Sequence, residues 1–291
     1  MKSQDKAYIY AFSAIVCWST IGSVFKLTLK FMDPMELLLF ASLVACFVLG
    51  VILLSQGNFM QLKKTSLHDL LMSAVMGMLN PYLYYLVLLN AYKLLPAQEA
   101  GTLNYIWPLV LVLLSIPLLG QKISLWSIMA IVISFLGILL ISTHGNLLLF
   151  HFTSTTGVSL ALSSALFWAL YWIINLKDKR QATARLFLNF CFGAFYVFIT
   201  TAFTRHFFTP PWQGLAGAVY IGLFEMGITF ILWMNALKFS KNTAKVSNLI
   251  YFSPFVSLII IHFMVGEMIH LSTIAGLVLI ITGIMIQQYF K

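Results

Sequence analysis

Charge is what this sequence has least of. Only 9% of its 291 residues are Asp, Glu, Lys or Arg, and just 8 residues are acidic. A soluble domain carries roughly 25% charged residues to hold water on its outside, so a water-facing globular protein is excluded. Cysteine is scarce too. Cys17, Cys46 and Cys191 each lie inside an apolar run and read as small hydrophobes, which removes a disulfide or zinc framework. Low-complexity tracts are absent, and with 61% hydrophobic residues the chain is not a disordered one. The sequence also lacks a GxxxxGK(S/T) phosphate loop, an HExxH zinc helix, a GxSxG elbow and a GxGxxG fingerprint. Its histidines are dispersed, with His144, His151, His206 and His270 at the ends of apolar runs. An enzyme would have no constellation to work with, and neither a metal nor an organic cofactor is expected.

Apolar runs are what the chain has in abundance. A helix crosses a bilayer core of about 30 Å with about 20 apolar residues. Runs of that kind cover residues 7–27, 35–55, 69–92, 98–118, 123–142, 154–176, 184–204, 213–237, 243–264 and 270–289. The expected fold is an all-α membrane protein of ten transmembrane helices. Connections are short, and the first run lacks the small-residue cleavage site of a signal peptide. With the N-terminus in the cytoplasm, 13 of the 17 Lys and Arg residues face the cytoplasm and only Lys26, Lys30, Lys93 and Arg205 lie outside. The positive-inside bias therefore places both termini in the cytoplasm, and the net charge of +9 calls for no nucleic-acid partner.

The sequence also repeats itself. Asn90-Ala91 with Lys93 recurs as Asn235-Ala236 with Lys238, a shift of 145, and Tyr105, Pro108, Gly120 and Gly137 recur as Tyr251, Pro254, Gly266 and Gly283, a shift of 146. Trp18 and Trp168 correspond more loosely. Residues 1–145 and 146–291 read as two copies of a five-helix unit. An odd number of spans turns the second copy upside down, the inverted-repeat architecture of many secondary transporters, with a substrate cavity near the midplane.

Trp18-Ser19 and Lys26 in the first run, Pro108 in the fourth, Pro254 in the ninth and Gly266-Glu267 before the last resemble the EamA-type drug/metabolite transporter superfamily over essentially the whole chain. Glu99-Ala100-Gly101-Thr102-Leu103-Asn104-Tyr105-Ile106-Trp107-Pro108, followed by Gly120-Gln121-Lys122, is similar to the YddG-type aromatic amino-acid exporters. Phe167-Trp168-Ala169 with Tyr171, Asn175, Lys177 and Arg180 points the same way. The resemblance implies ten spans around a central cavity lined chiefly by spans one, three, four, six, eight and nine. Lys245 and Asn248 depart from that pattern.

Cost identifies candidate site residues. An ionisable side chain at the bilayer centre costs about 2.5–3.5 kcal/mol on insertion scales, so one that persists faces protein or water. Glu99 reads as a cavity carboxylate for an ammonium group or a proton, or as a first-turn carboxylate favoured by the helix dipole. Glu225 stacks with Thr229 and Trp233 at i+4 and i+8 on one helical stripe, and its alternative is an ion pair with Lys245. Lys245, with Asn248 at i+3, either attracts a substrate carboxylate or snorkels as a cytoplasmic anchor. Trp168, Tyr171 and Trp172 in run six, Asn104 and Trp107 in run four, Tyr84 in run three, and Trp18 with Ser19 in run one complete the expected substrate-binding set. Trp168 to Trp172 lie nearer mid-span than an interfacial aromatic belt requires. Pro108 and Pro254 occupy equivalent positions and read as paired gating points.

The reading that follows is a secondary transporter of the bacterial inner membrane, monomeric or weakly homo-oligomeric. It exports or exchanges aromatic or bulky apolar amino acids, or similar small metabolites, by alternating access. An acidic, ring-lined cavity would also serve efflux of cationic drugs or passage of a nucleotide-like metabolite such as S-adenosylmethionine. Outside transport, the rivals are an intramembrane enzyme and a scaffold.

Overall fold

The computed structural model describes residues 3–119, 124–146, 153–204, 209–240, 246 and 249–289. Lys245 and Asn248 lie outside the described residues, as do Gly120-Gln121-Lys122, His151 and His206. Every regular element among the described residues is helical. In a hydrocarbon solvent the backbone must satisfy its own N–H and C=O groups, and a helix does this within one segment.

The elements in chain order are α1 (Ser3–Thr28), α2 (Pro34–Ser55), α3 (Leu67–Gly77), α4 (Tyr84–Leu94), α5 (Ala97–Asn104), α6 (Trp107–Leu119), α7 (Leu125–Ser142), α8 (Thr155–Lys177), α9 (Ala182–Thr204), α10 (Trp212–Phe224), α11 (Ile228–Phe239), α12 (Ser253–Val265) and α13 (Leu271–Tyr289). Among the described residues, six helices or helix pairs are long and apolar enough to cross a membrane: Ser3–Thr28, Pro34–Ser55, Leu67–Leu94, Thr155–Asn175, Ala182–Thr204 and Trp212–Phe239. Ile128–Ser142, Leu249–Val265 and Leu271–Ile286 are shorter apolar helices.

Starts are set by side-chain caps. The Asp33 N–H donates to Glu36 Oε2 at 3.1 Å before α2. Ser66 and Asp69 exchange backbone-to-side-chain bonds of 3.1 and 3.2 Å at α3, and Ser154 Oγ accepts from Gly157 N at 3.0 Å at α8.

Several of the apolar runs are not single continuous helices. The third is interrupted over Met78–Leu83, where Asn80 has extended dihedrals (φ −148°, ψ 118°) and Pro81 supplies no N–H. The eighth is interrupted at Glu225–Gly227, with Gly227 at φ −107°, ψ −90°. The stripe of Glu225, Thr229 and Trp233 is therefore not continuous: Glu225 caps the end of α10, and the Thr229 hydroxyl turns back onto the Phe224 carbonyl that the break frees. The fourth breaks at Tyr105–Ile106, so Pro108 stands in the first turn of α6 and does not bend a helix interior. Pro254 has the same place in α12.

The chain divides into two compact units, Met1–Tyr82 with Lys179–Ile260 and Leu83–Asp178 with Ile261–Lys291. In the first unit α1 packs along α10 and α11, α2 along α9 and α10, and α3 along α9. Arg180 ties the linker after α8 to α3, donating to Asp69 O at 2.9 Å and Ser73 Oγ at 2.8 Å. In the second unit α8 packs along α4, α5 and α6, and α13 packs along α7. These last two run antiparallel. A Cβ on Gly145 would meet Ser272, one on Gly137 would meet the Gly276 backbone, and one on Gly283 would meet Ala130 and Ser134.

Candidate functional site

The expected site residues divide between the two units. Trp18, Ser19, Glu225, Trp233 and Pro254 belong to the first, and Tyr84, Glu99, Asn104, Trp107, Pro108, Trp168, Tyr171 and Trp172 to the second.

In the second unit the aromatic residues form one continuous group centred on Trp168 of α8. Its ring stacks on Tyr84 of α4 at 4.6 Å between centroids and on Tyr171 at 5.8 Å, and meets Trp107 of α6 and Trp172 edge-on at 6.5 and 5.9 Å. Aromatic pairs of this geometry contribute about 0.5–1.5 kcal/mol each beyond the area they bury. A polar strand runs through the group. Asn104, the last residue of α5, donates from Nδ2 to Tyr84 Oη at 3.3 Å and accepts at Oδ1 from Ser164 Oγ at 2.8 Å. One and two turns beyond Trp168, the Trp172 indole N–H and the Asn175 Oδ1 are buried with no hydrogen-bond partner among the described residues. A donor and an acceptor held in apolar surroundings interact strongly with whatever polar group reaches them.

The first unit has a smaller counterpart. Trp18 of α1 lies 5.5 Å from Trp233 and 6.3 Å edge-on from Phe230, both on α11, and Phe230 meets Phe190 at 6.4 Å. Ser19 Oγ approaches Ser253 O at 3.1 Å beside Pro254 and also bonds to Ile15 O at 2.7 Å. Thr20 and Tyr220 share a 2.8 Å hydroxyl contact. Glu225 is 8% exposed at the break between α10 and α11. Asn80, in the break after α3, and Asn189 of α9 are fully buried amides without hydrogen-bond partners among the described residues.

Glu99 does not join the rings. It lies in the first turn of α5 with its side chain fully buried, and Oε1 is 3.1 Å from His144 Nε2. Thr153 Oγ1 donates to the same Oε1 at 3.2 Å and lies 2.6 Å from His144 Nε2. His270 stands edge-on to His144 at 5.1 Å. The α5 N-terminus itself is capped by another carboxylate: Glu267 accepts from Ala97 N at 2.8 Å and Gln98 N at 3.2 Å. Gln98 returns the contact, donating to Met268 O at 2.7 Å and accepting from His270 N at 3.2 Å.

His144 reaches Glu99 because of an uncommon backbone turn. It holds φ +51° at the end of α7, with Gly145 N bonded to Leu140 O at 2.9 Å and His144 N to Ile141 O at 3.1 Å. That is the αL position which glycine normally takes in this helix ending, and a side chain there costs about 1–2 kcal/mol.

Sequence reasoning missed His144, Thr153, His270 and the capping role of Glu267. Histidines scattered along the chain converge only once α5, α7 and α13 are packed. The available signal was histidine where a glycine belongs. Among the described residues no group of His, Cys, Asp and Glu has metal-holding geometry.

Comparison with known proteins agrees with a membrane carrier. The profile of the EamA-like transporter family matches residues 5–143 and 155–287. An uncharacterized transporter of Bacillus subtilis, YvbV, is 23% identical over 93% of this chain and 87% of its own. A probable terminal-alkyne amino-acid exporter of Streptantibioticus cattleyicolor is 27% identical over 69% of this chain and 68% of its own. A protein crystal structure superposes with a TM-score of 0.69 at 20% identity, covering 98% of this chain and 97% of its own, which establishes the fold. With long apolar helices throughout and the family profile spanning nearly the whole length, the chain belongs to the EamA-like transporter family and is a multi-pass membrane transporter.

Proposed function

We infer that this transporter is a secondary carrier exporting or exchanging amino acids of aromatic or bulky apolar character. The observation that carries this reading is the Trp168 group. The rings gathered at Trp168 supply stacking partners for an apolar body, while the Trp172 N–H and the Asn175 oxygen supply one donor and one acceptor for a zwitterionic head. The similarity of residues 99–108 to YddG-type exporters, and the amino-acid exporter among the relatives, support it.

Alternating access calls for two nearly equivalent packings, which two inverted five-helix repeats, residues 1–145 and 146–291, supply. Several observations support that architecture. The family profile falls in two segments of similar length. The last helices of the two halves, α7 and α13, run antiparallel, and the 146-residue shift that carries Gly137 onto Gly283 also carries Ala130 onto Gly276 and Ser134 onto Ile280, so the two ends of their contact are equivalent. The 145-residue shift carries Asn80 onto Glu225, the residues at the two interruptions. On this reading Pro108 and Pro254 begin half-helices that tilt during gating, and Glu225 orients the charged part of the substrate. Both termini lie in the cytoplasm beneath the inner membrane, and gradients, not ATP, drive the cycle.

A ligand screen by thermal stabilisation tests the binding step. A ligand at a hundred times its Kd stabilises the state it binds by about 2.7 kcal/mol. L-tryptophan or L-phenylalanine is expected to raise the apparent Tm of the purified protein while L-alanine and L-glutamate leave it unchanged. Equal or absent shifts for all four would refute the aromatic preference.

A further inference from the structure

We propose that Glu99 is a proton-binding site of this transporter and that the proton is its coupling ion. The proposal rests on the carrier reading above but uses a group outside the aromatic cluster. Glu99 is fully buried, yet its Oε1 is one hydrogen bond from an imidazole whose side chain is 38% exposed. A buried carboxylate with an exposed histidine and a hydroxyl on the same oxygen has the parts of a proton relay: store, carrier and bridge.

The histidine occupies a backbone position that few residues other than glycine take. His144 takes the αL position that ends α7, where glycine is the unstrained choice, and Gly145 follows at φ +83°. Strain retained at such a position is a mark of use. A cap on α5 does not explain it, because Glu267 already fills that role at Ala97 and Gln98.

The proton balance is simple. A proton arriving from water at His144 Nδ1 releases the one on Nε2 to Glu99 Oε1; the O–H bond forms as the N–H bond breaks, and the imidazole returns to neutrality. The product is a neutral carboxylic acid that no longer holds His144 by charge. Because α5 ends at Asn104 and leads directly to Trp107, this links protonation to the segment carrying the polar strand of the ring group.

Neighbouring elements bring further titratable groups close to the pair. His270, just before α13, meets the His144 ring at 5.1 Å, and Glu267 beside it holds the α5 N-terminus at Ala97 and Gln98. Thr153 and His144 both bond Glu99 Oε1. On the positive-inside orientation this end of the unit faces the external medium, the side from which a proton gradient is spent.

The test uses full-length protein in two assays. In liposomes with a pH dye in the lumen and a tryptophan gradient as the probe, tryptophan flux is expected to shift lumenal pH. Glu99→Gln is expected to lose the pH shift while tryptophan-for-tryptophan exchange continues, and His144→Asn, which keeps a residue tolerant of αL, to slow the pH shift about tenfold or more. Wild-type flux without a pH shift, or a Glu99→Gln protein that still moves protons, overturns the proposal and leaves the carrier reading standing.

Infrared titration needs no substrate. A protonated-carboxyl carbonyl band should grow as pH falls, vanish in Glu99→Gln and persist in Glu99→Asp. If no band depends on residue 99, the site is not a proton site, whether or not tryptophan crosses the membrane.

Discussion

Trp168→Ala is expected to abolish transport of aromatic amino acids, while Trp168→Phe retains a measurable rate. Trp168 is 9% exposed and is the common partner of Tyr84, Trp107, Tyr171 and Trp172. Its removal leaves four rings without their shared neighbour, and a Trp-to-Ala change in a packed interior costs about 3–5 kcal/mol. Uptake kinetics and thermal unfolding on the same preparation separate the two contributions. If the ring group binds substrate, Trp168→Phe loses affinity by about tenfold at near-normal stability. A Phe variant that is destabilised but unchanged in affinity for every substrate would make Trp168 a packing residue only.

The second large effect is structural. Gly276→Val is expected to prevent recovery of folded, monodisperse protein, and Gly276→Ala to lower stability by about 1–3 kcal/mol. A Cβ at Gly276 would stand 2.7 Å from the Gly137 carbonyl oxygen, and one at Gly137 would stand 2.6 Å from that of Gly276. Ile141 at Gly276 and Ile280 at Gly137 crowd the same positions with side-chain atoms, but the carbonyl oxygens are backbone, so repacking side chains is not enough and α7 and α13 must separate. Close approach through small residues is how helices associate in lipid, where no hydrophobic force draws them together. Gly266 is the control. It has open space around its Cβ position, and its φ of +81° makes Ala there a purely conformational cost of about 1 kcal/mol. Size-exclusion profiles and thermal unfolding of the variants check the order Gly276→Val, Gly276→Ala, Gly266→Ala.

How far the sequence discloses such features depends on their range. Membrane-spanning helices are legible because twenty apolar residues in a row have few other uses, and the ring group was found because Trp168, Tyr171 and Trp172 fall within one turn of α8. The 145- and 146-residue shifts made Pro108 and Pro254 legible as a pair. Each stands in the first turn of a helix, since a residue without an N–H is best accommodated where the backbone donor has no helical partner. The break at Glu225–Gly227 was hidden, because Glu225-Met226-Gly227 contains no proline and sits in an apolar run that reads as continuous helix. The Glu99–His144 pair was hidden for a different reason. It depends on the helix ending at Gly145, for which histidine at an αL position is a weak local signal, and on residues brought together by packing.

The central claim is that this chain carries an amphipathic amino acid across the membrane through its ring group. Counterflow tests it most directly: liposomes containing the full-length protein are loaded with unlabelled tryptophan and diluted into a trace of labelled tryptophan. The account predicts transient accumulation of label above its external concentration, present with the wild-type chain and absent with Trp168→Ala. Folded protein that accumulates neither tryptophan, phenylalanine nor leucine beyond protein-free liposomes would contradict it.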